Sequence, residues 1–77
     1  MDKWESYLSG REYRIVGGLL RMCVLPSYKE WRASVENQDQ EELWYGKYAT
    51  QEQARGEAIE AARRLLRIAL NELDSEQ

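Results

Sequence analysis

The last third of the chain carries the pattern that most constrains the fold. After Thr50, apolar residues recur every three or four positions as far as Leu73, which is the spacing of an amphipathic helix. Thr50 and Gln53 also match a capping box, in which the threonine side chain accepts a hydrogen bond from the backbone N–H three residues later. The pattern predicts a helix over residues 51–73, about 34 Å long.

The side chains on the apolar face of this helix become larger along its length. Ala54 and Ala58 are small, so the first half of the helix can approach a neighbouring layer closely. We expect Leu65, Leu66 and Leu73 to supply the bulk further along. A helix with one apolar face must bury it against another element, and the preceding residues are suited to form a sheet.

Two stretches before the helix are typical of strands. Residues 30–36 alternate apolar Trp31, Ala33 and Val35 with polar residues, which is the period of a half-buried strand. Residues 43–49 form a second strand, rich in aromatic residues. A polar loop joins them.

An earlier apolar run, residues 13–25, is interrupted by Gly17 and Gly18. The two glycines form either the turn of a hairpin between strands 13–16 and 19–25 or a bulge in one long strand. Pro26 is expected to end the run and to open a turn.

The N-terminal residues 1–12 are polar, but Trp4, Tyr7 and Leu8 have helical spacing. We expect a short helical turn ending near Gly10, or a flexible segment, and a disordered tail at 74–77. Strands followed by one helix predict a single α+β domain over residues 1–77. Its two layers are a three- or four-stranded antiparallel sheet and one long C-terminal helix, in the order β-β-β-α.

Composition excludes several kinds of catalytic site. The 77 residues include no histidine and a single cysteine, Cys23. Ser-His-Asp and Cys-His catalysis and a zinc site are therefore impossible within this chain, and we expect a protein that is not an enzyme and needs no cofactor. A lone thiol suits a reducing compartment, so we expect a cytoplasmic location.

Metal, membrane and general nucleic-acid binding are also disfavoured. Asp39, Glu41 and Glu42 lack the spacing and central glycine of a calcium loop, so we expect no metal site. No apolar run approaches the roughly 20 residues of a membrane span. The net charge of -3 argues against the basic excess on which nucleic-acid affinity usually rests.

Alternation along the strands divides the side chains of the sheet into two sets. We expect the helix to pack on Leu20, Met22, Val24, Trp31, Ala33, Val35, Trp44 and Tyr48. The opposite set comprises Leu19, Arg21, Cys23, Leu25, Arg32, Ser34, Leu43, Tyr45 and Lys47. This second set is too apolar for an open surface.

Three interpretations of the second set stay open. Residues 1–16 could fold over it and insert Trp4, Tyr7 or Tyr13. A partner protein or a second copy of the chain could bind it instead, through Arg21, Arg32, Leu43, Tyr45 and Lys47. The third and least favoured is single-stranded nucleic acid stacked on Tyr45.

The helix carries a separate cluster of arginines at Arg63, Arg64 and Arg67. They are the candidate contacts for nucleic acid. The favoured interpretation is a solvated helix face that pairs with Glu60 and with the acidic residues after Leu70, since exposed charge patterns on helices usually mean solvation.

The chain from Trp31 through Thr50 to Leu66 resembles the β-β-β-α core of HicB-like antitoxins. In that family a strand hairpin leads to a threonine, an acidic or amide residue and an alanine at the start of a long helix, and Thr50, Gln53 and Ala54 match this spacing. The family's turn rich in proline and glycine is replaced here by residues 38–42. The resemblance covers about residues 19–70 and implies a partner-binding protein.

The same stretch is similar to the last strands and helix of double-stranded RNA-binding domains, which place lysines at the start of that helix to reach phosphates. Here Glu52 stands at that place and would repel phosphate. We therefore expect a non-catalytic protein-binding module, of the size of small regulators or inhibitors from phages and mobile elements. The alternative is a nucleic-acid-binding domain with the topology of a double-stranded RNA-binding domain.

Overall fold

A computed structural model of the chain describes residues 4–7 and 10–75. Five strands form one antiparallel sheet in chain order, and one helix follows them. The elements are β1 (Glu5–Tyr7), β2 (Arg11–Val16), β3 (Leu20–Ser27), β4 (Glu30–Glu36), β5 (Glu42–Tyr48) and α1 (Gln51–Asp74). The predicted α+β fold is confirmed, and the sheet has more strands than the three or four expected.

The additional strand, β1, lies where the sequence predicted a helical turn, and that prediction is wrong. Residues 5–7 pair with residues 11–13 of β2, and Gly10, with φ of 73°, lies in the connection between the two strands. Backbone hydrogen bonds to a neighbouring strand outweigh the helical spacing of a few side chains, because so short an isolated helix is only marginally stable. Leu8, which contributed to that spacing, lies outside the described residues.

Gly17 and Gly18 form a hairpin turn, so the bulge alternative is wrong. Val16 pairs with Leu20, and the Leu19 backbone N–H donates to the Val16 carbonyl at 3.0 Å. Both glycines have positive φ, 59° and 70°. Consecutive residues with positive φ match the twist of a hairpin, and glycine adopts them without strain.

Strand β3 continues through Pro26, where the sequence predicted its end. Pro26 pairs with Trp31, and the turn to β4 lies beyond Ser27. The ladder between β2 and β3 ends at Glu12 and Val24, so β3 has only one ladder partner at Pro26. A proline, which lacks an N–H donor, is tolerated at such an edge-like position.

The buried core lies between the helix and one surface of the sheet, which we call the inner face. Trp31, Ala33 and Val35 lie beneath the helix as the alternation of residues 30–36 predicts, and every residue expected there belongs to the core or packs against it. Ser34, on the other side of β4, is buried as well, at 3% exposed, so this strand is not half-buried along its whole length. The core members that are at most 4% exposed are small or flexible: Met22, Val24, Ala33, Val35, Ala54, Ala58, Ala61 and Ala62. Four buried alanines let α1 lie close across β3, β4 and β5.

The helix covers the sheet with only part of its length. Leu65 packs against the core, but every residue from 66 to 75 is exposed. The expectation that Leu66 and Leu73 add bulk to the core is wrong, since they are 37% and 67% exposed. A helix of 24 residues is about 36 Å long, and its last turns have no sheet beneath them.

An ion pair links α1 to β2. Glu12 lies on the inner face opposite Val24, and its side chain is only 3% exposed. Arg55 donates hydrogen bonds to both carboxylate oxygens of Glu12. Its Nε donates to Oε1, and its Nη2 donates to Oε2 at 2.7 Å. This paired geometry compensates the cost of burying a carboxylate.

The helix begins as its capping sequence predicts. The Gln53 backbone N–H donates to Thr50 Oγ1 at 3.1 Å, and Thr50 has extended backbone angles. We expect Thr50→Ala to lower the free energy of unfolding by about 1 kcal/mol, because one N–H of the first turn loses its acceptor. Urea denaturation measures this loss. Thr50→Ser, which keeps the hydroxyl, is the control and should match the natural protein closely.

Candidate docking surface

The surface of the sheet turned away from α1, which we call the outer face, is formed by side chains from all the longer strands. Strand register places them in three rows across the sheet. The first row joins Tyr13, Cys23, Ser34 and Tyr45, the second Ile15, Arg21 and Glu36, and the third Leu25, Arg32 and Lys47.

Two arginine–tyrosine stacks organise this surface. The guanidinium carbon of Arg21 lies 4.7 Å from the ring centre of Tyr13, and that of Arg32 lies 4.7 Å from the ring centre of Tyr45. Both are diagonal pairs between adjacent strands, a reach that long side chains have. Each stack contributes about 0.5–1 kcal/mol at an exposed site, and it holds both side chains against the sheet.

The charges of the outer face alternate in sign. Arg32 Nη2 lies 2.5 Å from Glu42 Oε1, and Arg21 is the cross-strand neighbour of Glu36. Lys47, beside Arg32 on β5, is exposed. The Nε atom of Arg21 is buried and has no hydrogen-bond partner among the described residues.

Large apolar side chains remain exposed at one end of this face. Ile15 is 58% exposed, Leu19 is 55% exposed and Leu43 is 43% exposed at that end, and Tyr45, which is 58% exposed, lies one row further in. Leu43 lies where the register between β4 and β5 shifts. Apolar side chains grouped in this way are typical of a contact surface.

A shallow cavity of about 170 Å³ opens at the same end, between the hairpin turn after β2 and the loop before β5. Ile15 and Leu19 form an apolar wall, and Arg21 and Glu36 supply charged groups. Gln38 Nε2 donates to the Gly18 carbonyl at 2.7 Å and joins the loop to the turn. The cavity is of a size to receive one side chain of a partner.

The N-terminal residues do not cover the outer face, so that interpretation is wrong for the residues described. Trp4 packs against the core on the other side of the sheet. Tyr13 is part of the face itself, because β2 joins the edge of β3 and widens the sheet. The side chain of Tyr7 lies outside the described residues.

Cys23 lies in the middle of the outer face and is half-buried. Burial raises the pKa of its thiol, and the nearby carboxylate of Glu36 raises it further. A raised pKa keeps the group as a thiol at neutral pH, and the thiol is a weak nucleophile. Cys23 therefore acts as a small apolar contact.

The structure brings the five predicted site residues, Arg21, Arg32, Leu43, Tyr45 and Lys47, to one side of the molecule. The sequence did not identify Tyr13 or Ile15 as members, since both were assigned to a covering segment. The two hairpin glycines could have identified them. A hairpin turn at Gly17 and Gly18 pairs β2 with β3 and so places Tyr13 beside Cys23 on the outer face.

The arginine cluster of the helix is separate from this surface. Arg63, Arg64 and Arg67 are exposed on α1, and α1 lies on the inner face, so the sheet separates them from Arg21 and Arg32. Arg63 Nη1 pairs with Glu60 Oε1 at 2.6 Å, which agrees with the favoured interpretation of a solvated helix face.

Neither a metal site nor a membrane-spanning helix is found among the described residues. The described residues hold no group of three or more acidic or cysteine side chains that could bind a metal ion. Within the same ranges, no helix has the length and apolar character needed to cross a membrane. No protein-family model matches the chain, and no curated protein or solved structure is significantly similar to it.

Proposed function

We propose that this chain is a non-catalytic protein-binding module whose outer face docks another protein. The observation that carries the proposal is the pair of stacks, Arg21 on Tyr13 and Arg32 on Tyr45, on the side of the sheet opposite α1. Tyrosine and arginine are the side chains most enriched where protein interfaces have their largest binding energies.

The stacks favour binding because they order the surface before a partner arrives. Immobilising a long side chain at an interface costs about 0.5–1.5 kcal/mol. Arg21 and Arg32 already lie against rings, which reduces that cost. Stacking consumes none of the five N–H donors of a guanidinium. Glu42 accepts from one donor of Arg32 and the Nε of Arg21 is buried, and the other donors of the two arginines can bind carbonyl or carboxylate oxygens of a partner.

The surface also indicates the chemistry of its partner. Ile15, Leu19 and the cavity beside them suit an apolar side chain. The cations Arg21, Arg32 and Lys47 alternate with Glu36 and Glu42, which suits a protein surface of mixed charge. A nucleic-acid backbone, uniformly negative, would meet both carboxylates.

Nucleic acid is disfavoured by the stacks themselves. A base binds such a sheet by lying on an exposed aromatic ring. Here Arg21 lies over Tyr13 and Arg32 lies over Tyr45, so a base would first have to displace a guanidinium. The proposed partner is therefore a protein. The resemblance to HicB-like antitoxins stays a prediction, and it suggests one class of partner: a toxin that this chain would inhibit by binding. The lone thiol Cys23 supports a reducing, cytoplasmic compartment for this regulator.

Tyr45→Ala should weaken the proposed interaction at least about tenfold, a loss of about 1.4 kcal/mol. The partner is first purified with the natural chain as bait, and its affinity is then measured by titration with each variant. Arg32→Glu should abolish binding, because it removes a stack and reverses a charge. Tyr28→Ala is the matched control, since Tyr28 is an 85% exposed tyrosine in the β3–β4 turn.

The control defines the outcome that contradicts the proposal. Equal losses for Tyr45→Ala and Tyr28→Ala would exclude the outer face as the docking surface. A labelled single-stranded oligonucleotide is titrated in parallel at 50 and 200 mM salt. Tight binding there that falls steeply with salt and is lost in Tyr45→Ala would replace the proposal with nucleic-acid binding.

A further inference from the structure

The last turns of α1 form a second uncovered surface, distinct from the outer face. We call residues 66–75 the helix extension. All of them are exposed, although the segment includes several large apolar residues. An amphipathic helix gains most of its stability from packing its apolar face, and here the sheet supplies no such packing.

Three leucines of the extension form a stripe along one side of the helix. Leu66, Leu70 and Leu73 are spaced by four and three residues, and they are 37%, 57% and 67% exposed. Side chains with this spacing lie above one another on a helix. We call these residues the leucine stripe.

The stripe continues into a groove between the helix and the sheet. This groove, of about 200 Å³, is lined by Val16 and Met22 from the sheet and by Ile59, Ala62 and Leu66 from the helix, with Arg14 and Arg63 at its border. Leu66 belongs to both features, so the groove and the stripe form one apolar strip that leads from the body of the protein onto the extension.

The charges along this part of the helix change sign from one end to the other. Residues 63–67 contain three arginines and no acidic residue, and residues 72–74 contain two acidic residues and no basic residue. Arg63 and Arg67 precede Leu66 and Leu70 by three residues and Asp74 follows Leu70 by four, so these three charges lie beside the leucine stripe.

We propose that the helix extension pairs with that of a second copy of this chain, antiparallel, about a two-fold axis near Ala69 and Leu70. In this arrangement Leu66 of one copy lies close to Leu73 of the other. Asp74 of each copy then lies between Arg63 and Arg67 of its partner, twice in one dimer. A parallel pair would oppose like charges, so the charge order selects the antiparallel arrangement.

A lipid surface is the other occupant to consider for an amphipathic helix. Helices that lie on anionic membranes carry an excess of lysine and arginine on the polar side. Over residues 60–76 the sequence has three arginines against four acidic residues. This balance favours a protein partner with the complementary order, which a second copy provides.

Sedimentation equilibrium tests the pairing directly. The natural chain should approach twice 9.1 kDa as its concentration rises. Leu70→Glu should raise the dissociation constant of the dimer at least tenfold. Ile68→Glu is the matched control: Ile68 is 58% exposed, as Leu70 is 57% exposed, but it lies two residues away and so on nearly the opposite side of the helix. Ile68→Glu should leave the dissociation constant within about threefold, a change of at most about 0.7 kcal/mol.

Charge reversal tests the antiparallel order. Variant one, Arg63→Glu with Arg67→Glu, replaces the two cations beside the stripe with carboxylates, and variant two, Asp74→Lys, replaces the carboxylate beside the stripe with a cation. Each alone should sediment as a monomer, because like charges then face each other across the pair. Mixed in equal amounts they should form a heterodimer, because the facing charges are then of opposite sign.

Three outcomes would overturn the inference. The first is a natural chain that stays monomeric at millimolar concentration. The second is a dimer weakened equally by Leu70→Glu and Ile68→Glu, and the third is a mixture of the two charge variants that remains monomeric.

Binding to vesicles of phosphatidylcholine with phosphatidylglycerol tests the lipid alternative. If the vesicles bind a monomeric chain and Leu70→Glu abolishes that binding, the stripe is a membrane-binding surface. Tyr45→Ala, which alters the outer face, should leave the dimer intact, so this inference and the proposed function can fail separately.

Discussion

Arg55→Met should lower the free energy of unfolding by about 3 kcal/mol, because it leaves the buried carboxylate of Glu12 without its counter-ion. The arginine side chain is 34% exposed, which places the effect at the lower end of the range for broken buried pairs. Urea denaturation at a fixed chain concentration should show a lower midpoint with an unchanged slope. Far-ultraviolet circular dichroism should show that the helix is retained.

Two controls separate the ion pair from a general effect of removing a charge. Arg64→Met removes an exposed arginine from the same helix and should change the free energy of unfolding by less than about 0.5 kcal/mol. The double variant Glu12→Met with Arg55→Met should recover most of the loss, because no buried charge remains. A double variant as unstable as Arg55→Met alone would contradict this account and assign the loss to packing.

This ion pair shows what the sequence alone did not reveal. Glu12 occurs in a polar N-terminal segment and has no local feature that predicts burial. It is buried because β2 pairs with β3 and turns Glu12 toward a helix residue more than 40 positions later. Contacts at such separation depend on the assembled sheet, whereas the alternation of residues 30–36 and the cap at Thr50 depend only on neighbouring residues.

The same distinction explains the outer face. Alternation along the strands correctly separated Arg21, Arg32 and Tyr45 from the residues beneath the helix. The fate of residues 1–16 depended on long-range pairing, and the helical spacing of Trp4 and Tyr7 indicated the wrong local structure. A short strand of three residues has too few side chains to show a period, so β1 becomes predictable only after β2 has been placed.

The length of the helix was predicted well, but its coverage of the sheet was not. Capping and periodicity predict where a helix begins and ends, and residues 51–73 agree with the observed Gln51–Asp74. How much of it lies over the sheet depends on the extent and twist of the strands, which no local pattern gives. The exposed leucine stripe follows from this mismatch between a long helix and a small sheet.

Ala58→Leu should lower the free energy of unfolding by about 2 kcal/mol, because the helix lies too close to the sheet for a larger side chain. Ala58 is fully buried, with Ala54 and Ala61 a turn away on the same face. The added atoms must push α1 away from the buried side chains of the sheet or take a strained rotamer. Urea denaturation measures the loss.

Gly56→Ala is the control, because it enlarges a side chain in the same helix only two residues away. Gly56 is exposed, and a Cβ at that position would meet nothing within 4 Å. Alanine should therefore raise the free energy of unfolding by up to about 1 kcal/mol, through helix propensity alone. The two substitutions should therefore change the free energy of unfolding in opposite directions. Helix propensity does not explain the loss for Ala58→Leu, because leucine and alanine are both good helix formers. Packing against the sheet does explain it. If Ala58→Leu were as stable as the natural chain, the close approach of α1 to the sheet would be excluded.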